Sequence, residues 1–293
     1  MQTETDPKAR RAVIVVSSHV VRGTVGNRAA VFALETLGHP VWAVPTVILP
    51  WHPGHGRATR IVPQDFAALM RDLAGAPWLG EVGAVLSGYL GEASQAAGVA
   101  SLVAAVRARS PGALYVCDPV IGDAGGLYVP EATAAAIRDT LMPLADIATP
   151  NRFELEWLLG RKADDLAALV ALAAEARPAR MLVTSAYPML AGGTGNLLVT
   201  PTQALLAEHR LVERPPNGVG DLTAALFLAR QLRGETDEKA LLSTTAAVYE
   251  VLARAVKRGG DELQLEADAA SLSRPMALVR TRRLGRPARD RRS

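Results

Sequence analysis

Short runs of β-branched and other apolar residues alternate along the chain with longer stretches in which apolar positions recur every three or four residues. That alternation predicts an α/β protein, a largely parallel sheet covered by helices. The first run, Ala12 to Val16, leads through a loop containing Gly23 and Gly26 to Ala29, Ala30, Val31, Phe32, Leu34 and Leu37, spaced for a helix that stops at Gly38. Val41 to Val47 reads as the next strand. Gly83 to Leu86, Ala113 to Cys117 and Met181 to Val183 repeat the strand signal, with Asp146 to Ala148 a weaker case. Helical spacing fills Glu92 to Arg109, Pro130 to Leu141, Asp164 to Ala176, Val219 to Leu232 and Glu238 to Val256. Gly195 to Thr200 and Gln203 to Val212 read as an antiparallel pair at the sheet's edge. Ligands of such sheets bind beyond the carboxyl ends of the strands, so the polar residues that follow the apolar runs bear most on function.

Composition adds limits. Of 293 residues, 49% are hydrophobic, enough to bury one large core, and no linker-like stretch interrupts the chain between Arg11 and Ser273. One domain is expected over residues 1–273. The sole cysteine, Cys117, excludes an intramolecular disulfide and suits a reducing compartment, the cytoplasm. The first apolar run is too short for a signal-peptide core or a membrane span, so no membrane association is expected. The net charge of +3 is unevenly spread: from Arg274 onward there are eight arginines and one acid, Asp290, which leaves the rest acidic on balance. A nucleic-acid-binding domain would carry its basic residues across a folded face. Residues 274–293 read instead as a basic, disordered tail.

Three stretches carry candidate chemistry. Asn217-Gly218-Val219-Gly220-Asp221 runs straight into the apolar segment Leu222 to Leu228. Glycines let a phosphate approach the backbone, and the free N–H groups of a helix start point at it. Asp221 would then sit beside a bound anion, where a carboxylate makes electrostatic sense only if it acts on a proton or a metal. A plain turn with an acidic N-terminus has the same residue types. The second stretch, Cys117-Asp118-Pro119-Val120-Ile121-Gly122-Asp123, sends two acids out of the end of a buried strand, either as partners of a divalent metal or as ordinary loop carboxylates. Cys117 itself reads as a packed core residue. The third, Thr149-Pro150-Asn151-Arg152-Phe153-Glu154, opens a helix, and capping alone accounts for its residue types. No P-loop is present. His52 and His55 stand three apart with prolines and glycine around them and no Cys or carboxylate close by, which argues against a metal site. His39 and His209 read as surface residues.

These stretches, together with Ser17-Ser18-His19-Val20-Val21-Arg22-Gly23, Gly26-Asn27-Arg28-Ala29-Ala30, Leu86-Ser87-Gly88-Tyr89 and Leu127-Tyr128-Val129-Pro130, occur in the order and approximate spacing of the pyridoxal kinases. From about Ala12 to Arg274 the chain resembles that family of the ribokinase-like superfamily. The resemblance implies a three-layer α/β sandwich, usually homodimeric, that transfers phosphate from ATP to the 5′-hydroxyl of pyridoxal, with Mg²⁺ and a monovalent cation, K⁺ or Na⁺, as cofactors. It implies Asp221 as catalytic base and Gly218, Val219 and Gly220 as the anion hole. Asp118, Asp123 and Glu154 would surround Mg²⁺ and the phosphates, with Thr149 and Thr184 near the monovalent cation. Tyr128, Asn151, Thr184 and Ser185 would lie on the ATP side with Asp118 and Glu154. Ser18, His52 and Tyr89 would hold the pyridine ring. One segment departs from the pattern: where the family commonly has Ser-Asn-His-Thr-Gly-Tyr, this chain has Pro50-Trp51-His52-Pro53-Gly54-His55, with prolines in place of two hydroxyl side chains. The alternatives are a kinase for hydroxymethylpyrimidine or a related heterocycle and a non-catalytic ligand-binding protein on the same fold. The retained Asp221 counts against the last.

Overall fold

A computed structural model describes residues 11–285. In chain order the elements are β1 (Ala12–Val20), α1 (Asn27–Thr36), β2 (Val41–Leu49), α2 (Phe66–Ala74), β3 (Val82–Ser87), α3 (Gln95–Arg109) and β4 (Leu114–Cys117). A small hairpin, β5 (Gly122–Asp123) and β6 (Gly126–Leu127), precedes α4 (Glu131–Ala136), β7 (Ile147–Ala148), α5 (Arg152–Leu159) and α6 (Leu166–Glu175). Then come β8 (Met181–Ala186), β9 (Gly193–Val199), β10 (Ala204–Arg210), α7 (Val219–Leu232), α8 (Asp237–Lys257), α9 (Ala269–Ser273) and β11 (Arg280–Leu284).

Among the described residues nine strands form one sheet in the order β11-β10-β9-β8-β7-β4-β3-β1-β2. Pairs from β2 to β8 are parallel and those from β8 to β11 antiparallel, as the alternating sequence pattern and the Gly195–Val212 region predict. Successive strand residues face opposite sides and build two cores. Ile14, Val16, Val85, Tyr115, Cys117 and Val183 pack on one face with Val99, Leu102 and Val106 of α3 and Leu169 of α6. Val13, Val15, Leu86, Val116 and Leu182 pack on the other with Leu34 of α1, Phe227 of α7 and Val251 of α8. The arrangement is the three-layer sandwich that the resemblance implies.

The register decides where polar side chains emerge. Val16 pairs with Ser87, Ser87 with Cys117 and Cys117 with Ala148, one row across four parallel strands. The next residues along, Ser17, Gly88, Asp118 and Thr149, therefore leave the sheet side by side at its carboxyl edge. The chain steps from β1 outward to β2 and then back across to β3, so this edge is the point where strand order reverses and where open α/β sheets bind ligands.

Two expectations are corrected here. The segment from Arg274, expected to be disordered, is folded as far as Gly285: β11 adds to β10, pairing Glu208 with Arg280 through to Ala204 with Leu284. Composition missed the acids waiting for it. Arg282 donates to the buried Glu208 at 2.9 Å, and the Met276 and Ala277 amides donate to Glu250 at 2.5 and 3.0 Å. Residues 286–293 of the expected tail lie outside the described residues. His39 is buried rather than on the surface, with its Nδ1 3.2 Å from the Arg11 carbonyl, and His209 is half-buried and stacked on Tyr249 with ring centroids 4.4 Å apart. Among the described residues no helix is long and apolar enough to cross a membrane.

Candidate active site

At the carboxyl edge, Ser17, Gly88, Asp118 and Asp221 line a small pocket together with Val15, Ala30, Leu86 and Ala224. Asp221 reaches it from the first turn of α7. That helix begins at Gly218, whose φ of 91° is open to glycine alone without strain, and a Cβ there would stand 2.0 Å from the Thr24 carbonyl oxygen. The N–H groups from Gly218 to Gly220 precede the first i−4 acceptor of the helix, so this end carries partial positive charge and donors that no helical carbonyl takes. The Asp221 carboxylate accepts from the Gly26 amide and its own, yet burial outweighs both and pushes its pKa from 3.8 up to about 6.

Asp118 is buried more completely, at 5% exposure. Burial, and then the negative charge of Asp221, push its pKa from 3.8 up to about 8, while a hydrogen bond from the Thr149 hydroxyl at 2.8 Å opposes the shift. Glu154, buried like Asp118, is raised well above the carboxylate range by burial and by Asp118. Its two oxygens are already in use. Oε2 accepts the Asn151 amide at 2.7 Å in a capping box, and Oε1 accepts the Ile121 and Gly122 amides at 3.0 and 3.4 Å. Glu154 thus clamps the turn that follows Asp118 to the start of α5. Among the described residues no Lys, Arg or His forms a salt bridge with Asp118, Glu154 or Asp221.

A pocket of uncompensated carboxylates facing a helix N-terminus suits a ligand that brings both a cation and an anion. The expected set of Mg²⁺ residues is only partly assembled. Among the described residues no group of three or more His, Cys, Asp or Glu is arranged to hold a metal ion. Asp123 is exposed on the β5–β6 hairpin and turns back on it, accepting from the Gly125 amide at 2.7 Å and from the Tyr128 hydroxyl. One carboxylate with water and substrate phosphates is the usual manner of Mg²⁺, and Asp118 fits it.

The remaining expected residues fall in two places. Near the ends of β1 and β3, Ser18 is buried against Gly26, and Tyr89 is held through its backbone by Ser17 Oγ at 3.1 Å and Thr46 Oγ1 at 2.7 Å. His52 caps the short turn Pro53–His55, its Nδ1 accepting the Gly54 amide at 3.0 Å, so only Nε2 is free to meet a ligand. On the other side, Asn151 and Thr184 form a parallel bridge beside β8, with the Thr184 amide on the Pro150 carbonyl at 2.9 Å. Ser185 follows, exposed, with a φ of 52°. Sequence reasoning gave no role to Ser17, although it stands in the quoted Ser17-Ser18 pair. Thr24 and Glu262 had no signal at all, because their contacts span more than two hundred residues.

The profile of the phosphomethylpyrimidine kinase family matches residues 59–265. The pyridoxal kinase PdxY of Rubrobacter xylanophilus is 40% identical over 281 residues, covering 93% of this chain and 97% of that protein. The chain belongs to the pyridoxal kinase family. Its relative in Deinococcus radiodurans, also a pyridoxal kinase PdxY, is 38% identical over 292 residues, 95% of this chain and 98% of that one. Among solved structures, the pyridoxal kinase from Leishmania donovani in complex with ADP and pyridoxamine superposes with a TM-score of 0.87 at 27% identity, over 94% of this chain and all of that one. The ribokinase-like fold expected from the sequence is the fold found.

Proposed function

We propose that this protein phosphorylates the 5′-hydroxymethyl group of pyridoxal with ATP as donor. The observation that carries the reading is the pairing of the buried Asp118 with the half-buried Asp221 at the strand-order reversal, with Asp221 in the first turn of a glycine-opened helix and its pKa raised to about 6. A base of that strength is ionised at neutral pH and still strong enough to take a proton from an alcohol as the oxygen attacks phosphorus. Asp221 accepts the hydroxyl proton, the alcohol oxygen forms its bond to the γ-phosphorus, and the bond to the β-phosphate oxygen breaks to release ADP. The N–H groups from Gly218 to Gly220 face the charge on the transferring group. Neutralisation of the phosphate oxygens is what Mg²⁺ supplies when bound, and Asp118, with Glu154 holding the turn behind it, is the side chain that would hold it. A K⁺ or Na⁺ near Thr149 and Thr184, nucleotide contacts at Asn151, Tyr128 and Ser185, a homodimer and a cytoplasmic location belong to the same proposal.

ADP release with pyridoxal as acceptor is the test. Asp221→Asn keeps the shape and loses the base, so turnover should fall by roughly 10²–10⁴ while nucleotide binding survives. A variant with near wild-type kcat would remove Asp221 from the mechanism. The family profile's description and the altered segment Pro50–His55 make hydroxymethylpyrimidine the acceptor to run beside pyridoxal.

A further inference from the structure

The segment that departs from the family pattern is held in place by a residue at the far end of the chain. Trp51 folds over its own loop, its indole N–H donating to the Gly56 carbonyl at 3.2 Å, and His55 places Nε2 3.0 Å from Oε1 of Glu262. Glu262 is buried, at 9% exposure. Its other oxygen accepts the Thr24 amide at 3.1 Å, and its backbone bridges to Asn217, the residue before the anion hole. Gly23, at a φ of 114°, leaves the room this carboxylate occupies, since a Cβ there would stand 2.6 Å from it. The Thr24 carbonyl in turn lies under Gly218. Beside Glu262, Asp261 takes a two-pronged hydrogen bond from Arg22 at 2.8 and 3.0 Å, and the Arg22 amide donates to the Pro50 carbonyl at 2.9 Å.

Glu262 therefore joins three pieces: its carboxylate holds the loop Trp51–Gly56 and the turn Arg22–Thr24, and its backbone holds the chain entering the anion hole. The loop has few other anchors. It is exposed apart from His52 and carries no buried apolar side chain, and the other charged group near His55 is Asp261, 4.0 Å from its Nδ1, so without the Glu262 contact little fixes the loop's place. We propose that Glu262 is a positioning residue for the acceptor substrate, fixing the loop through His55 so that His52 and Trp51 present one surface to the heterocycle. This rests on the pyridoxal kinase reading only in that the loop covers the acceptor. The prolines at 50 and 53 fit such a role, because they stiffen the loop and let a single anchor set its place.

Hydrogen exchange on the ligand-free full-length protein and steady-state kinetics test the two parts separately. Glu262→Gln keeps an oxygen for the Thr24 amide and removes the charge that faces His55 and Arg22, and His55→Ala removes the contact from the exposed side. Peptides covering residues 51–56 should exchange about tenfold faster in both variants, while those within α7 are unchanged. The KM for pyridoxal should rise about three- to tenfold, with kcat and the KM for ATP within about twofold. The double variant should be no worse than the poorer single one by more than about twofold, because both act through one contact. Unchanged exchange at 51–56, additive effects, or an equal loss in the KM for ATP would each overturn the inference. Should Glu262→Gln fail to fold, His55→Ala carries the same readouts. A wild-type protein inert towards pyridoxal would sink the substrate assignment alone, and the exchange result would still decide whether Glu262 anchors the loop.

Discussion

Replacing Asp118 with Asn should stabilise the ligand-free protein and abolish its activity. The carboxyl has a folded pKa near 8 against an ordinary 3.8, because burial and Asp221 both disfavour its charge. The folded state thus binds the proton more tightly than the unfolded chain, and stability is lost as pH rises from about 4 to about 8. At about 1.4 kcal/mol per unit, the penalty at pH 7 is a little over 4 kcal/mol, and water entering the pocket brings it nearer 2. Asparagine lacks this penalty, keeps an oxygen for the Thr149 hydroxyl and turns an amide towards the charge of Asp221. Urea unfolding without ligands at pH 5 and pH 8 reads the difference. The variant's advantage should be about 1–2 kcal/mol at pH 5 and grow by about 2–4 kcal/mol at pH 8, and added Mg·ATP should stabilise only the wild type. An Asp118→Asn protein that is less stable than wild type at pH 8, or whose advantage is the same at both pH values, would show that Asp118 is already neutralised by a partner and that the pocket holds no uncompensated charge.

Four further outcomes follow from the same contacts. The rate constant kcat/KM for pyridoxal should fall with unit slope as pH drops below about 6, since Asp221 must be ionised to accept a proton, and a pH profile flat to pH 5 would exclude it as base. Gly218→Ala places a methyl group against the Thr24 carbonyl and should cost about 2 kcal/mol or more of stability together with phosphotransfer, read by thermal melting and ADP release. Ending the chain after Arg274 removes β11 and takes Arg282 from the buried Glu208, which keeps the Met189 and Leu190 amides on its other oxygen, so about 2–3 kcal/mol of stability should be lost; an unchanged melting temperature would mean that the strand contributes nothing. Trp51→Ala should alter kcat/KM for the vitamer while the KM for ATP stays within about twofold, and equal effects on both substrates would take the loop out of acceptor binding.

Most of the strands and helices were legible because each carries its own period: Val41–Leu49 and Val219–Leu232 are apolar where the sheet and the core need them. The site was legible in part for the same reason, since the register brings residues just after apolar runs to one edge. What escaped is long-range pairing between charged groups. Arg282 reads as part of a solvated tail until Glu208 is placed beside it. Asp123 reads as a metal ligand by its spacing from Asp118, but the β5–β6 hairpin turns it onto Tyr128. Glu154 fits its expected place at the helix start, yet its oxygens are spent on backbone amides, and no local pattern in the sequence separates a clamp from a ligand.

The central claim is an acceptor and a donor, and one competition assay addresses both. Purified protein is given Mg·ATP and an equimolar mixture of pyridoxal, pyridoxine, pyridoxamine and hydroxymethylpyrimidine, and the initial rate of each phosphorylated product is followed by mass spectrometry. The account predicts pyridoxal 5′-phosphate as a principal product, dependent on ATP and abolished in Asp221→Asn. Phosphorylation confined to hydroxymethylpyrimidine, or no phosphorylated product from any of the four, would contradict it.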